Sequence, residues 1–167
     1  MLEKIVSGGQ SGVDRAALDA AREAGLACGG WCPRDRWAED GPIAARYPLT
    51  ETPQRDPAQR TAWNVRDADA SLVLARGAPR GGTAFTVQCA HAEGRPCRVV
   101  DLERGADAAQ IARWLQCNGV RVLNVAGPRE SQAPGIHADA LALLREVLAA
   151  ALHTPRGEGP GPRGTSR

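Results

Sequence analysis

The 167-residue chain predicts a single α/β domain built on a mostly parallel sheet with helices on both faces. Three observations lead there. Five short apolar runs alternate with segments of helical periodicity, the order expected of strand–helix–strand units. The runs are apolar throughout instead of alternating, as strands buried on both faces are. Glycine-rich turns follow several of the runs, and in such a sheet ligands lie beyond the carboxyl ends of the strands.

Lys4–Ser7 is the first strand, and Gly8-Gly9-Gln10-Ser11-Gly12 is the turn that follows it. From Val13 the apolar residues fall at Ala16, Ala17, Ala20, Ala21 and Ala24, the repeat of a helix with one buried face. Gly25 ends that helix, expected over Gly12–Ala24. A strand turning sharply into a helix directs free backbone N–H groups and a positive dipole end at the turn, which is an anion site by geometry. The spacing Gly-Gly-x-x-Gly-x-Asp matches neither the dinucleotide fingerprint nor the Walker loop. A tight connection that needs glycine only for its backbone angles is the plainer alternative.

Ala27–Trp31 is a second strand weakened by Gly29 and Gly30, and about 25 residues without clear periodicity follow it, too many for a mere connector. This segment holds Arg34, Arg36, Trp37 and the carboxylates Glu39 and Asp40. The two acids could serve acid–base chemistry, clamp a ligand's hydroxyl or amino groups, or cap a helix. Trp37 is the aromatic placed to stack on a flat ligand. A helix over Ala58–Arg66 precedes the strand Ser71–Ala75. Then comes a second glycine turn, Arg80-Gly81-Gly82-Thr83, opening a helix over Thr83–Glu93. Strand Cys97–Asp101, helix Asp107–Cys117, strand Arg121–Ala126 and helix Ile136–Leu152 complete the alternation. Two Gly-Gly helix starts on neighbouring strands would converge on one ligand carrying phosphate or another oxyanion. Arg15, Arg34, Arg36, Arg60 and Arg80 lie near these loops, and arginine suits bidentate phosphate contact.

Composition excludes several function classes. The formal charge of +2 resides in residues 154–167, where Arg156, Arg163 and Arg167 face only Glu158. The rest of the chain is neutral, which gives no support to nucleic-acid binding. That terminal stretch is half Gly and Pro and is expected to be a disordered tail, leaving a domain over 1–153. No apolar run approaches a membrane span and the N-terminus lacks a signal peptide's apolar core, so a cytoplasmic protein is expected. Cys28, Cys32, Cys89, Cys97 and Cys117 lack the paired spacing of a zinc site and read as free buried thiols. His91, His137 and His153 assemble into no nucleophilic or metal constellation. The residues name no catalytic group.

Ile5-Val6-Ser7-Gly8-Gly9-Gln10-Ser11-Gly12-Val13-Asp14-Arg15-Ala16-Ala17-Leu18-Asp19 resembles the opening of the putative molybdenum carrier protein family. Six further blocks resemble it in the same order: Gly29–Pro33, Ala38–Gly41, Tyr47–Thr52, Arg60–Asp67, Gly81–Thr83 and Leu123–Arg129. The resemblance implies a single Rossmann-like three-layer domain related to the cytokinin-activating phosphoribohydrolases and to the DNA-processing protein that loads recombinase. It implies a homo-oligomer, a tetramer being the expected size, that binds molybdenum cofactor (molybdopterin) or molybdate for storage or transfer to molybdenum enzymes. Its ligand contacts would fall on Gly8, Gly9, Gln10, Ser11, Gly12, Arg36, Glu39, Asp40, Arg60, Asn64, Gly81, Gly82 and Thr83. Ser11 stands where family members usually carry threonine, which keeps the hydroxyl.

A carrier must bind without reacting, which agrees with the missing nucleophile. The alternative is a nucleotide-monophosphate phosphoribohydrolase or a nucleotide-binding protein. Here Gly81-Gly82-Thr83 lacks one glycine of the hydrolase motif, and Gln88 or Glu93 substitutes poorly for its glutamate. Single-stranded DNA binding, suggested by Ser7–Asp14, conflicts with the neutral charge.

Overall fold

The computed structural model describes residues 1–153; the expected tail, 154–167, lies outside the described residues. Five strands form the main sheet: β1 (Lys4–Val6), β2 (Ala27–Gly29), β5 (Ala70–Ala75), β6 (Cys97–Asp101) and β7 (Val122–Ala126). The two remaining strands, β3 (Trp31–Cys32) and β4 (Thr50–Glu51), pair with each other in a second small sheet. The main order is β2-β1-β7-β5-β6, and every pairing is parallel. The five helices are α1 (Val13–Glu23), α2 (Pro57–Arg66), α3 (Gly81–Ala92), α4 (Ala108–Cys117) and α5 (Ile136–Leu152). Helices α1, α4 and α5 pack together on one side of the sheet, while α2 and α3 pack against each other on the opposite side. The expected three-layer, Rossmann-like architecture is what the chain adopts.

The core follows from the periodicities. The apolar stripe of α1 (Val13, Ala16, Ala17, Ala20, Ala21) is buried, and its small side chains let α5 approach closely with Ala140, Leu144, Val147 and Leu148. All six residues of β5 are buried, the signature of a strand covered on both faces. At roughly 25 cal/mol per Å² of apolar surface removed from water, this core is the main source of stability.

Two features differ from the sequence expectation. The second strand does not run on to Trp31. Gly30 takes φ +124, turning the chain out of the main sheet to start β3. A side chain there would collide with Ser7 O and Asn64 Oδ1, so only glycine fits. The glycine turns also do not sit on neighbouring strands, because β7 lies between β1 and β5. Of the cysteines only Cys32 is buried; Cys28, Cys89 and Cys97 are half-buried and Cys117 is exposed.

The long segment after β3 has a core of its own. Leu18, Cys32, Ala38, Ile43 and Tyr47 form a second buried cluster. Arg36 holds the segment's backbone, donating from Nε to Ile43 O (2.8 Å) and from its terminal nitrogens to Leu49, Ala44 and Tyr47 carbonyls. Among the described residues no helix is long and apolar enough to cross a membrane.

Candidate functional site

A free helix N-terminus leaves backbone N–H groups without partners, and most proteins fill them from within. Among the described residues, four of the five helices do so. Asp56 caps α2 by accepting from Ala58 N, and Asp107 caps α4 by accepting from Gln110 N. Glu130 accepts from Gly135 N and His137 N at the start of α5. Val13 N, at the start of α1, donates to Pro128 O at 3.3 Å. Among the described residues, only α3 has neither a side-chain cap nor a bond from its first amide to another segment. Its first two amides, Gly81 and Gly82, donate no hydrogen bond among the described residues, and a Cβ on either would meet open space.

That open N-terminus forms the floor of a cavity of about 320 Å³ beyond the carboxyl ends of β1, β7 and β5. Gln10 and Asp14 enter it from the β1 side, Ala126 and Gly127 from the end of β7, and Thr83 and Thr86 from α3 itself. Arg60 reaches in from α2, and Arg129 and Gln132 from the β7–α5 loop. Arg60 and Asp14 form an ion pair, Nη1 to Oδ2 at 3.1 Å, with both side chains almost buried. Its geometry satisfies neither partner. Asp14 Oδ2 and Arg60 Nε are buried without a hydrogen-bond partner. Burial pushes the Asp14 carboxyl above the usual carboxylate range, against the opposing pull of Arg60, the Gln10 backbone N–H and the Ser7 hydroxyl. Orphaned buried polar atoms are rare, and this pair marks the Asp14–Arg60 contact, whose residues line the cavity, as a place where the fold leaves polar groups short of partners.

The first glycine turn is used differently. A Cβ on Gly8 would overlap the Arg60 guanidinium, one on Gly9 would overlap Leu49, and one on Gly12 would overlap Pro128 O. Protein atoms occupy the room that these glycines vacate, so this turn is a packing junction whose Gln10 alone faces the cavity. Gln10 Oε1 accepts from Ser11 N (3.1 Å) and Glu39 N (2.9 Å), which presents its Nε2 without a protein acceptor among the described residues.

Of the residues expected at the site, Gln10, Arg60, Gly81, Gly82 and Thr83 meet in this cavity. Ser11, Glu39 and Asp40 line a separate depression on the α1 and α5 side. There Glu39 accepts from the Ser11 and Ser131 hydroxyls and from Ser131 N, and Asp40 pairs with Arg15. Burial works against the Glu39 charge, but the Ser11 and Ser131 bonds outweigh it and hold its pKa below the usual value; the Arg15 bond does the same for Asp40. These carboxylates pin the long segment over the β1 turn. Arg36 is spent on backbone carbonyls, and Asn64 bonds both Trp31 N (2.8 Å) and Trp31 O (2.9 Å). Arg129 stands 5.4 Å over the Trp37 ring, so a guanidinium takes the face on which a flat ligand was expected.

Asp14, Thr86, Arg129 and Gln132 line the cavity although the sequence motifs did not select them. For Asp14 a signal existed, a carboxylate in the first turn of an otherwise apolar helix face; for Gln132 there was none. Among the described residues no cluster of His, Cys, Asp and Glu could hold a metal ion. Burial pushes the thiols of Cys28, Cys32, Cys89 and Cys97 up, away from reactive thiolates.

A model of the circularly permutated YpsA SLOG family matches residues 5–148. A crystal structure of a protein described as a putative molybdenum carrier protein from Syntrophus aciditrophicus is 39% identical, with a TM-score of 0.84 over 88% of this chain and 95% of that one. No curated protein sequence matches. The family match covers nearly the whole described domain: this chain belongs to the circularly permutated YpsA SLOG family.

Proposed function

We propose that this protein binds a phosphate-bearing small molecule at the N-terminus of α3 and carries it without transforming it, with molybdenum cofactor as the cargo. One observation carries the reading: α3 alone among the five helices is left uncapped, and its Gly81 and Gly82 amides face a cavity that Arg60 and Arg129 enter. A helix N-terminus with free amides and adjacent guanidinium groups favours an anion through both dipole and charge. The residues present suit the cofactor. Its phosphate needs amides and arginine, which Gly81, Gly82 and Arg60 provide. Its pterin presents N–H donors, and the Asp14 carboxylate, ion-paired with Arg60 but with Oδ2 lacking a hydrogen bond, is an acceptor in the cavity lining. The dithiolene already supplies sulfur to the metal, so the high-pKa thiols of the chain are not required. The 39% identical structure described as a putative molybdenum carrier protein supports a molybdenum-related cargo.

Thermal unfolding of the full chain in the presence of molybdenum cofactor, molybdate, phosphate, AMP and NAD tests this. A ligand at a hundredfold excess over Kd stabilises the folded state by about 2.7 kcal/mol. The expected result is a clear upward shift with the cofactor that Gly82→Asp abolishes, since a carboxylate there would take the amides and repel phosphate. A shift with molybdate alone, or one unchanged by Gly82→Asp, would defeat the proposal.

One observation favours an enzymatic reading. Asp14 is a buried carboxyl with a raised pKa beside the anion site, the kind of group that can protonate a leaving base. Gln88 and Glu93 lie farther along α3, and Glu93 is at its C-terminal end. Release of ribose 5-phosphate from AMP, lost in Asp14→Asn, would identify a phosphoribohydrolase with Asp14 as its acid.

A further inference from the structure

Two guanidinium groups line the cavity at α3, and the fold treats them differently. Arg60 is committed to Asp14, Nη1 to Oδ2 at 3.1 Å. Arg129 makes no ion pair and no side-chain hydrogen bond among the described residues. Its guanidinium carbon lies 5.4 Å from the centroid of the Trp37 ring.

Trp37 does not itself line the cavity. It belongs to the long segment between β3 and β4, which is fixed on both sides of it. Before it, Arg36 donates to four backbone carbonyls. After it, Ala38 is buried and Glu39 accepts from the Ser131 amide and hydroxyl. Residues 37 and 39 of the segment therefore meet residues 129 and 131 of the β7–α5 loop, with the same spacing on each.

We propose that Trp37 is a positioning residue for the anion site: its indole face holds the Arg129 guanidinium at the cavity wall with the N–H donors left for the ligand's oxygens. The inference rests on the reading of α3 as the anion site and goes beyond it by giving the long segment a part in binding.

The chemistry of the contact carries the assignment. An aromatic face attracts a cation through its quadrupole and occupies none of its N–H groups. Arg15, Arg36 and Arg76 show the contrast, because carboxylates and carbonyls take their donors. Glu39 shows what the ring prevents. It is close enough to interact electrostatically with Arg129, yet the two form no ion pair among the described residues. Without the indole, the guanidinium would be free to turn to Glu39 and leave the cavity with Arg60, already paired. A side chain ordered beforehand also loses less freedom when the ligand arrives.

Calorimetric titration of the full chain with molybdenum cofactor and with AMP, two phosphate-bearing probes, tests this. The probe that binds the wild type more tightly is then measured against the variants. Arg129→Met should weaken it about tenfold or more, as loss of a charged hydrogen-bond donor does. Trp37→Leu should weaken it about three- to tenfold, the range of a cation–π contact. Trp37 is half-buried, so these replacements leave the core intact. Trp37→Phe keeps an aromatic face and should bind more tightly than Trp37→Leu. In the Arg129→Met background Trp37→Leu should change the Kd by less than about twofold, since a residue that acts through another has nothing left to position. A loosened segment would weaken binding in both backgrounds alike. That equal loss, wild-type affinity in Arg129→Met or Trp37→Leu, or a Trp37→Phe variant no better than Trp37→Leu, would overturn the inference while loss of binding in Gly82→Asp kept the anion site. Binding that survives Gly82→Asp, or a wild type that binds neither probe, would remove both.

Discussion

Replacing Arg60 with methionine tests whether the Asp14–Arg60 pair is as tightly linked as its geometry indicates. Methionine keeps much of the volume packed under Gly8 but removes the cation 3.1 Å from Asp14 Oδ2. A buried carboxylate stripped of its counter-charge is costly, so the group takes up a proton instead. Holding that proton costs about 1.36 kcal/mol for each pH unit above the carboxyl's ordinary pKa of about 3.9, so about 4 kcal/mol at pH 7 is the ceiling. The sign follows from the raised folded pKa of Asp14. The folded state holds a proton that the unfolded chain releases, so the contribution is complete below about pH 4 and is lost as pH rises through the folded value. In the wild type Arg60 narrows that window by lowering the pKa; in Arg60→Met the window widens upward. We therefore expect Arg60→Met to go on losing stability above the pH at which the wild type levels off, by up to about 1.4 kcal/mol per pH unit where only the variant's Asp14 still holds its proton. Urea unfolding at four pH values, followed by the fluorescence of Trp31 and Trp63 at the α2 contact, measures it. Adding Asp14→Asn removes the titrating group and should return the slope to that of the remaining carboxylates. A slope for Arg60→Met parallel to the wild type, or one that persists in the double variant, would refute the reasoning.

Other perturbations separate packing glycines from open ones. Gly30→Ala places a Cβ against Ser7 O and Asn64 Oδ1 at φ +124 and should cost about 2 to 4 kcal/mol in chemical unfolding, since strain and overlap add. Gly77→Ala, at φ +69 in open space, should cost about 1 kcal/mol from backbone conformation alone. Arg36→Met removes four bonds to backbone carbonyls, and the expected result is rapid proteolytic cleavage between residues 37 and 48 while the main sheet persists. Glu39 has a depressed pKa, so its contribution is present above the unfolded value of about 4.3 and lost as pH falls through the folded one. Glu39→Gln should therefore flatten the acid limb of the stability curve, and an unchanged limb would show that Ser11 and Ser131 do not hold the loop through that carboxylate.

The strand–helix alternation was legible because each element announces itself locally. Val13–Glu23 carries its period, the Gly25 stop and a run of buried alanines; Ala70–Ala75 is apolar without a break. What could not be read was set by contacts distant in the chain. The turn at Gly30 depends on Ser7 and Asn64, the small β3–β4 sheet on residues that show no periodicity, and the closure of α1 on Pro128. Arg36 sits in a loop as any ligand-binding arginine would, and only the folded segment shows its donors turned on carbonyls.

The two Gly-Gly turns make the same point about the site. In sequence Gly8-Gly9 and Gly81-Gly82 look alike, because a motif records only that the backbone there has no room for, or no need of, a Cβ. Which of those holds depends on what fills the space. At Gly8 and Gly9 the space belongs to Arg60, Leu49 and Ile43, so glycine is the condition for a tight internal junction. At Gly81 and Gly82 nothing among the described residues comes within 4 Å of where a Cβ would sit, and the amides have no partner there. Arg60 links the two: it packs on the first turn and reaches the cavity of the second. Filling the first turn from within thereby positions the cation that the open one needs, which makes the closed glycine turn a support for the anion site and not a second copy of it.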